Sequence, residues 1–362
     1  MHSFDLVHQR LANQRLSTAP FQHPAEVVDW LGAVQAQDFA GAKWALGLRI
    51  QRAADSDIEK AFNAGEILRT HILRPTWHFV SPVDIRWMLA LTAPRVHMRN
   101  AHMYRKAGLD SALFKRSHAV LLKVLQGGVQ LTRDELRGVF QKAGIGTEGE
   151  FRMNYLLMHA ELEGLICSGP RRGRQFTYAL LDERAPQGVV YPQDEALARL
   201  ARLYFLSRGP ATVQDFAKWS GLTIADAARG LEAVKDGLEQ QDLEGKPHWY
   251  PPQTGPFQEI YPRAYLLSIY DEFISSYKGL NHAASPEHAS RLVELGNNLA
   301  YIILIDGRIA GNWKRKYLKD TVLIALNLFR SLSQAEEQAL TSAVYKYGEF
   351  YGLPVVVEEV SS

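Results

Sequence analysis

Apolar positions recur at helical spacing as far as Pro256, and runs of β-branched and aromatic residues follow. Residues 4–16 (FDLVHQRLANQRL) set Phe4, Leu6, Val7, Leu11 and Leu16 at a rough helical spacing. Pro24 opens a second helix that carries Val27, Val28, Leu31 and Val34 on one face and runs to about Ala36. Asp38 suits the N-cap of a third, FAGAKWALGLRI. Residues 67–80 read as an extended segment around Pro75. Helices followed by an extended hairpin-like segment are the order of a winged helix.

That order recurs along the chain. Residues 111–126 read as a helix, Thr132-Arg133-Asp134-Glu135 carries a capping box that starts a second, and 150–163 form a third. The stretch LICSGPRRGRQFTYALL then supplies two short strands around a Pro/Gly/Arg turn. A further copy has a helix ending at Gly209, helices over 212–221 and 223–237, and a hairpin in LEQQDLEGKPHWYPP. It is element order that repeats here, not sequence. Beyond Pro256, Asp306-Gly307 marks a hairpin turn, Ser333 to Gly348 a closing helix, and LPVVVEEV a last strand. The expected fold is α+β: mainly helical tandem winged-helix (helix-turn-helix) repeats with a C-terminal barrel-like β part. The expected units are 1–110, 111–190, 191–256 and 257–362.

Composition narrows the function. With 362 residues, 46% apolar and 22% charged, this is an ordinary globular composition with room for more than one core. A formal net charge of +2 does not by itself point to nucleic acid, so local clusters decide. The single cysteine, Cys167, rules out an intrachain disulfide and a cysteine metal cluster, and fits a reducing cytoplasm. The first residues show no signal-peptide pattern, and no apolar run reaches the ~20 residues of a membrane span. The histidines lack H-x-x-x-H spacing beside acids, and no phosphate-binding or dinucleotide glycine motif occurs, so neither metal nor cofactor is expected. No obligate protein partner is apparent.

Two features carry candidate chemistry. The first is a set of basic clusters: Arg95, Arg99, Arg105 and Lys106; Arg171, Arg172 and Arg174 at the tip of the second wing; and Lys314, Arg315 and Lys316 after the last hairpin. On winged helices such residues can neutralise DNA phosphates; the alternative is a solvated turn or face. The second is Gln35-Ala36-Gln37-Asp38, polar residues inside the apolar stretch LGAVQAQDFAGAKWALGLR. On one continuous helix Gln35 and Gln37 would diverge, whereas a helix corner with Asp38 as the next cap lets them converge. Two amides there either cap helix ends or orient a water molecule, which suits a reaction whose leaving group is already activated. Thr76 and His78 share one face of an extended segment and are candidates for water or phosphate contact, or for an ordinary half-buried strand. Trp44 and Trp77 are expected in the core. Lys43, the lysine nearest the motif, is expected to meet phosphate or solvent rather than to form a Schiff base.

The stretches LGAVQAQDFAGAKWALGLR, RTHILRPTWHFV (69–80), YDEFISSYK (270–278) and DGRIAGNWKRK (306–316) resemble the winged-helix DNA glycosylases of the HTH_42 superfamily, with its AlkZ-like and YcaQ-like branches. The resemblance covers nearly the whole chain. It implies tandem winged helices forming a concave face for double-stranded DNA, and hydrolysis of the N-glycosidic bond of alkylated purines. The family motif is Gln-apolar-Gln in the AlkZ-like branch and Gln-apolar-Asp in the other; Gln35-Ala36-Gln37 matches the first. On that basis Gln35 and Gln37 position the hydrolytic water under a cationic purine such as N7-alkylguanine, including interstrand crosslinks through N7. A monofunctional repair enzyme acting at the nucleoid is expected. The competing reading is a non-catalytic winged-helix DNA-binding protein or regulator.

Overall fold

The structure, a computed structural model, describes residues 6–18, 20–149, 151–185, 188–243, 245–252, 262–279, 283–294 and 301–359. The start of the first expected helix, with Phe4, lies outside the described residues.

Near the N-terminus the helices Leu6–Asn13, Pro24–Leu31, Phe39–Gly47 and Asp55–Ala64 surround a three-stranded sheet. Its strands are β1 (Ala33–Gln35), β2 (Leu68–Ile72) and β3 (Thr76–Val80), in the order β1-β3-β2. The second helix stops earlier than its apolar spacing suggests. Gly32 takes φ +71°, a conformation open to glycine, and turns the chain directly into β1. Val34 and Gln35 therefore lie on a strand, not on a helix. The helices Asp55–Ala64 and Ile85–Lys106 are additions to the sequence expectation; in the first, Ile58, Ala61 and Phe62 already stand at the i, i+3, i+4 spacing of a buried helix face.

A long helix, Ile85–Lys106, leads into the helices Ser111–Leu125, Arg133–Lys142 and Arg152–Leu162 and the strands Ile166–Arg172 and Gln175–Leu180. The capping box forms as its spacing predicts: Thr132 Oγ1 accepts from the Glu135 N–H, and Glu135 Oε2 accepts from the Thr132 N–H at 2.7 Å. The helices Gln193–Arg208, Val213–Ser220 and Ile224–Glu232 follow, with a hairpin of Glu239–Leu243 and Lys246–Tyr250.

The C-terminal part holds a five-stranded sheet in the order Val355–Glu359, Val322–Leu328, Arg308–Tyr317, Ile302–Ile305 and Ala264–Leu267. Asp306 (φ +46°) and Gly307 (φ +74°) make the expected hairpin turn. The sheet is open, which corrects the barrel-like expectation. The chain reaches its last strand through the helix Gln334–Tyr351, so that strand adds in parallel at the outer edge. Among the described residues it does not return to pair with Ala264–Leu267.

The cores cut across chain order. One apolar cluster joins Val28, Leu31, Trp44 and Phe79 to Leu266, Ile303, Trp313 and Tyr347, so the two ends of the chain share a core. A second joins Leu73 and Met88 to Tyr204, Phe216 and Trp219. A third, around Phe114, Leu121, Phe140 and Leu157, fills the segment after the long helix. Among the described residues no helix is long and apolar enough to cross a membrane.

Candidate active site

The first sheet brings the polar motif together by register. Gln35 on β1 stands opposite His78 on β3, and His78 stands opposite Thr70 on β2. Side chains alternate across a strand, so Gln35, His78, Thr70 and Thr76 share one face. The extended backbone continues one step, with the Ala36 N–H donating to Trp77 O at 2.7 Å. Continuing that register sets Gln37 opposite Thr76, and Gln37 Oε1 meets the Trp77 N–H in a long contact of 3.4 Å. The two glutamines thus fall on one side because the segment is extended, not because a helix turns a corner. Gln35 is buried (8% exposed) and Gln37 is exposed.

Gln35 is held from two directions. Its backbone N–H donates to Glu272 Oε1 at 2.9 Å, and its side-chain Oε1 accepts from Arg74 Nη2 at 3.0 Å. Glu272 is fully buried and also accepts from Arg208 Nη2 (2.7 Å), Ser276 Oγ (2.7 Å) and Trp219 Nε1 (3.1 Å). Burial works against its charge, but Arg208 and the hydrogen bonds from Ser276 and Gln35 bring its carboxyl down to about 2. The carboxylate is ionised and committed. The neighbouring Asp271 makes a two-pronged pair with buried Arg49, 3.0 Å on each side. Neither acid was singled out from the sequence. The available signal was two adjacent carboxylates within IYDEFISSY, a stretch otherwise built for burial.

His78 is buried, and burial followed by the nearby Arg74 guanidinium pushes its imidazole down to about 3. It is neutral at neutral pH. Its Nδ1 lies 3.0 Å from Thr76 O, which can only accept, so the proton sits on Nδ1 and Nε2 carries a lone pair. That Nε2 has no hydrogen-bond partner among the described residues, and neither do Thr70 Oγ1 and Thr76 Oγ1. Arg74 occupies the turn between β2 and β3, where burial lowers its pKa and Glu272 opposes that, with Arg208 and Arg99 also close. Lys218 donates to Ser275 O, and burial, then Arg74, pushes its ammonium down to about 8. Arg74, Arg99 and Lys218 therefore gather positive charge beside the motif; sequence reasoning singled out Arg99 alone among them.

Asp38 takes the N-cap position of the helix Phe39–Gly47, but its carboxylate makes no cap. It accepts instead from Tyr301 Oη at 2.7 Å and pairs with Arg315 at 3.4 Å. The expected capping role is thus replaced by a tie to the C-terminal sheet. The extended ψ of 101° at Asp38 leaves its side chain free to reach there.

Comparison with known proteins places the architecture. The model of the AlkZ-like DNA glycosylase family matches residues 28–350. The chain belongs to that family. A curated relative, the interstrand DNA cross-link repair glycosylase of Streptomyces sahachiroi, is 26% identical over 321 residues, covering 84% of this chain and 85% of the relative. The solved structure of Streptomyces sahachiroi DNA glycosylase AlkZ shares the fold, with a TM-score of 0.79 over 97% of this chain and 98% of that one at 20% identity. The protein is a DNA glycosylase, a hydrolase of N-glycosyl bonds.

In this AlkZ-like glycosylase the cations expected to meet phosphate divide by burial. Lys43 is 4% exposed and sits between Asp55 (2.8 Å) and Glu59 (2.6 Å), which corrects its expected contact with phosphate or solvent. Arg171 pairs with Glu59 at 3.2 Å, and Arg315 with Asp38, so both brace the fold. Arg95 donates to Gly221 O at 2.6 Å. Arg172 is engaged by Glu135 at 2.7 Å while more than half exposed. Arg99, Arg105 and Lys106 on the long helix, Arg174 in the hairpin turn, and Lys314 and Lys316 are exposed. The last two lie within the long strand Arg308–Tyr317, where alternation turns Arg315 the other way. Trp44 is buried as expected and donates to Leu266 O at 2.6 Å. Trp77 is half-buried under Arg69.

Proposed function

We propose that this glycosylase removes cationic alkylated purines of the N7-alkylguanine type, including purines crosslinked through N7, with Gln35 and Gln37 holding the attacking water. The observation that carries this reading is an uncharged polar group, Gln35, Gln37, Thr76 and neutral His78, whose adjoining carboxylates are already committed: Glu272 to Arg208, Asp38 to Tyr301 and Arg315. Amides orient water but cannot take its proton. Such a site is matched to a leaving group that needs no acid. An N7-alkylated guanine carries a positive charge, so the electron pair of the breaking C1′–N9 bond neutralises the departing base. The water oxygen then bonds to C1′ and releases its proton to solvent. His78 Nε2, an acceptor without a partner among the described residues, and Thr76 Oγ1 complete the cradle for that water. An uncharged purine would need a proton donor that this group does not supply.

The three helix-and-hairpin segments act in this reading as winged helices on double-stranded DNA. Arg74, Arg99 and Lys218 meet the phosphates beside the lesion, and Arg105, Lys106, Arg172, Arg174, Lys314 and Lys316 extend the basic surface. The enzyme is monofunctional and acts at the nucleoid. It is tested by release of 7-methylguanine, 3-methyladenine and an N7–N7 crosslink against hypoxanthine and uracil in duplex DNA. The cationic bases are released. Changing Gln35 and Gln37 together to alanine slows release by ~100-fold or more, the scale of a misplaced reacting group, while DNA binding persists. Faster release of the uncharged bases, or a covalent DNA adduct trapped by borohydride, overturns the reading.

A further inference from the structure

Away from the glutamine motif, three packed helices bring together side chains the sequence keeps far apart. His97 comes from the long helix Ile85–Lys106. His159 lies in the last turn of the helix Arg152–Leu162, and Glu163 is its C-cap, so these two share one helix face at a spacing of four. One ligand atom from each of His97, His159 and Glu163 lies within 4.8 Å of the others.

The orientations are informative. His97 Nε2 pairs with Glu163 Oε1 at 3.1 Å. That separation is near the ~3.3 Å edge of a tetrahedron with zinc bonds of 2.0–2.1 Å. The other ring nitrogens are occupied. His97 Nδ1 lies 3.0 Å from Tyr104 Oη, and His159 Nδ1 lies 3.2 Å from His118 Nε2. In histidine metal sites the non-ligating ring nitrogen is held in this fashion, and with the proton on Nδ1 each Nε2 is left as the lone-pair nitrogen. His159 is further clamped by stacking on Phe114, with ring centroids 3.7 Å apart.

We propose that His97, His159 and Glu163 bind a zinc-class divalent cation that ties the helix Ile85–Lys106 to the helix Arg152–Leu162, with solvent in the fourth position. Glu163 is 48% exposed, which provides the path for entry. Two imidazoles and one carboxylate suit zinc over magnesium or calcium, which favour all-oxygen sites. The site stands apart from the glycosylase chemistry. It fixes the helix that carries Arg99 and Lys106 against the segment that follows.

The test uses the full chain, stripped with a chelator and titrated with Zn2+ and Co2+. The expected result is a single ion per chain, visible d–d absorption of a tetrahedral Co2+ complex, and a rise in Tm on adding Zn2+ that chelator reverses. Glu163→Gln and His159→Gln abolish the Co2+ spectrum, Tyr104→Phe weakens binding by ~10-fold through the lost orienting partner, and the exposed His102→Gln leaves binding intact. Should the His159 variant fail to fold, exposed Glu163→Gln and the metal response of the unaltered chain still decide. Binding unchanged in Glu163→Gln, or a Tm indifferent to Zn2+, overturns the proposal.

Discussion

His78 shows how one buried side chain couples the proposed site to pH. Its imidazole has a pKa of about 3 in the folded chain against 6.5 for the free group. Above about pH 6.5 neither state binds the proton, and the folded state keeps its full stability. As pH falls from about 6.5 to about 3, the unfolded chain takes up a proton that folded His78 does not. Stability then declines by up to ~1.4 kcal/mol per pH unit from this group. Urea unfolding across that range should give a shallower decline for His78→Gln than for the unaltered chain; parallel declines would refute the assignment. Over the physiological range His78 stays uncharged and contributes no limb to the activity profile. At this scale the glutamine pair was legible, because polar side chains in an apolar run must be satisfied or used. The destination of the Asp38 carboxylate was not legible, because its partners Tyr301 and Arg315 are remote in sequence.

The turn that carries Arg74 depends on a second element. Gly221 ends the helix Val213–Ser220 at φ +74°, and a Cβ there would stand 2.5 Å from Leu73 O. Leu73 itself adopts φ +63°, a strained conformation for leucine. Gly221→Ala should therefore push the turn away, displace Arg74 from Gln35, and cost about 1–3 kcal/mol. A lowered urea midpoint together with slower 7-methylguanine release is the expected outcome; unchanged release would separate the turn from the site. Elements set by local chemistry matched the sequence reading, among them the Thr132 capping box and the Asp306-Gly307 turn. The boundary at Gly32 did not. Apolar spacing continues through Val34, and the switch to a strand follows from pairing with β3.

Across the whole molecule, Glu272 links segments that the chain separates widely. It holds the Gln35 backbone from the N-terminal sheet, and Arg208 and Trp219 from the helices before the C-terminal part. Glu272→Gln keeps the shape but leaves the Arg208 guanidinium buried without its counter-charge. The expected loss is ~3–5 kcal/mol in urea unfolding, with base release reduced as Gln35 loosens; a loss below ~1 kcal/mol would show that the pair does not anchor the site. By itself the sequence determined the capped helices such as Arg133–Lys142, the Asp306-Gly307 turn, the mixed helix-and-strand class and the family motifs, and it singled out the glutamine pair as candidates. Those depend on capping, periodicity and side-chain chemistry within a few residues of one another. Only the tertiary structure decided that Gln35 lies on a strand opposite His78, that the last sheet stays open, and that Lys43, Arg171 and Arg315 brace the fold. It alone brought Glu272 under the motif and His97 beside Glu163. Each of those outcomes turns on strand register or on burial of one charge against another from a distant segment, and neither has a local signature in the chain.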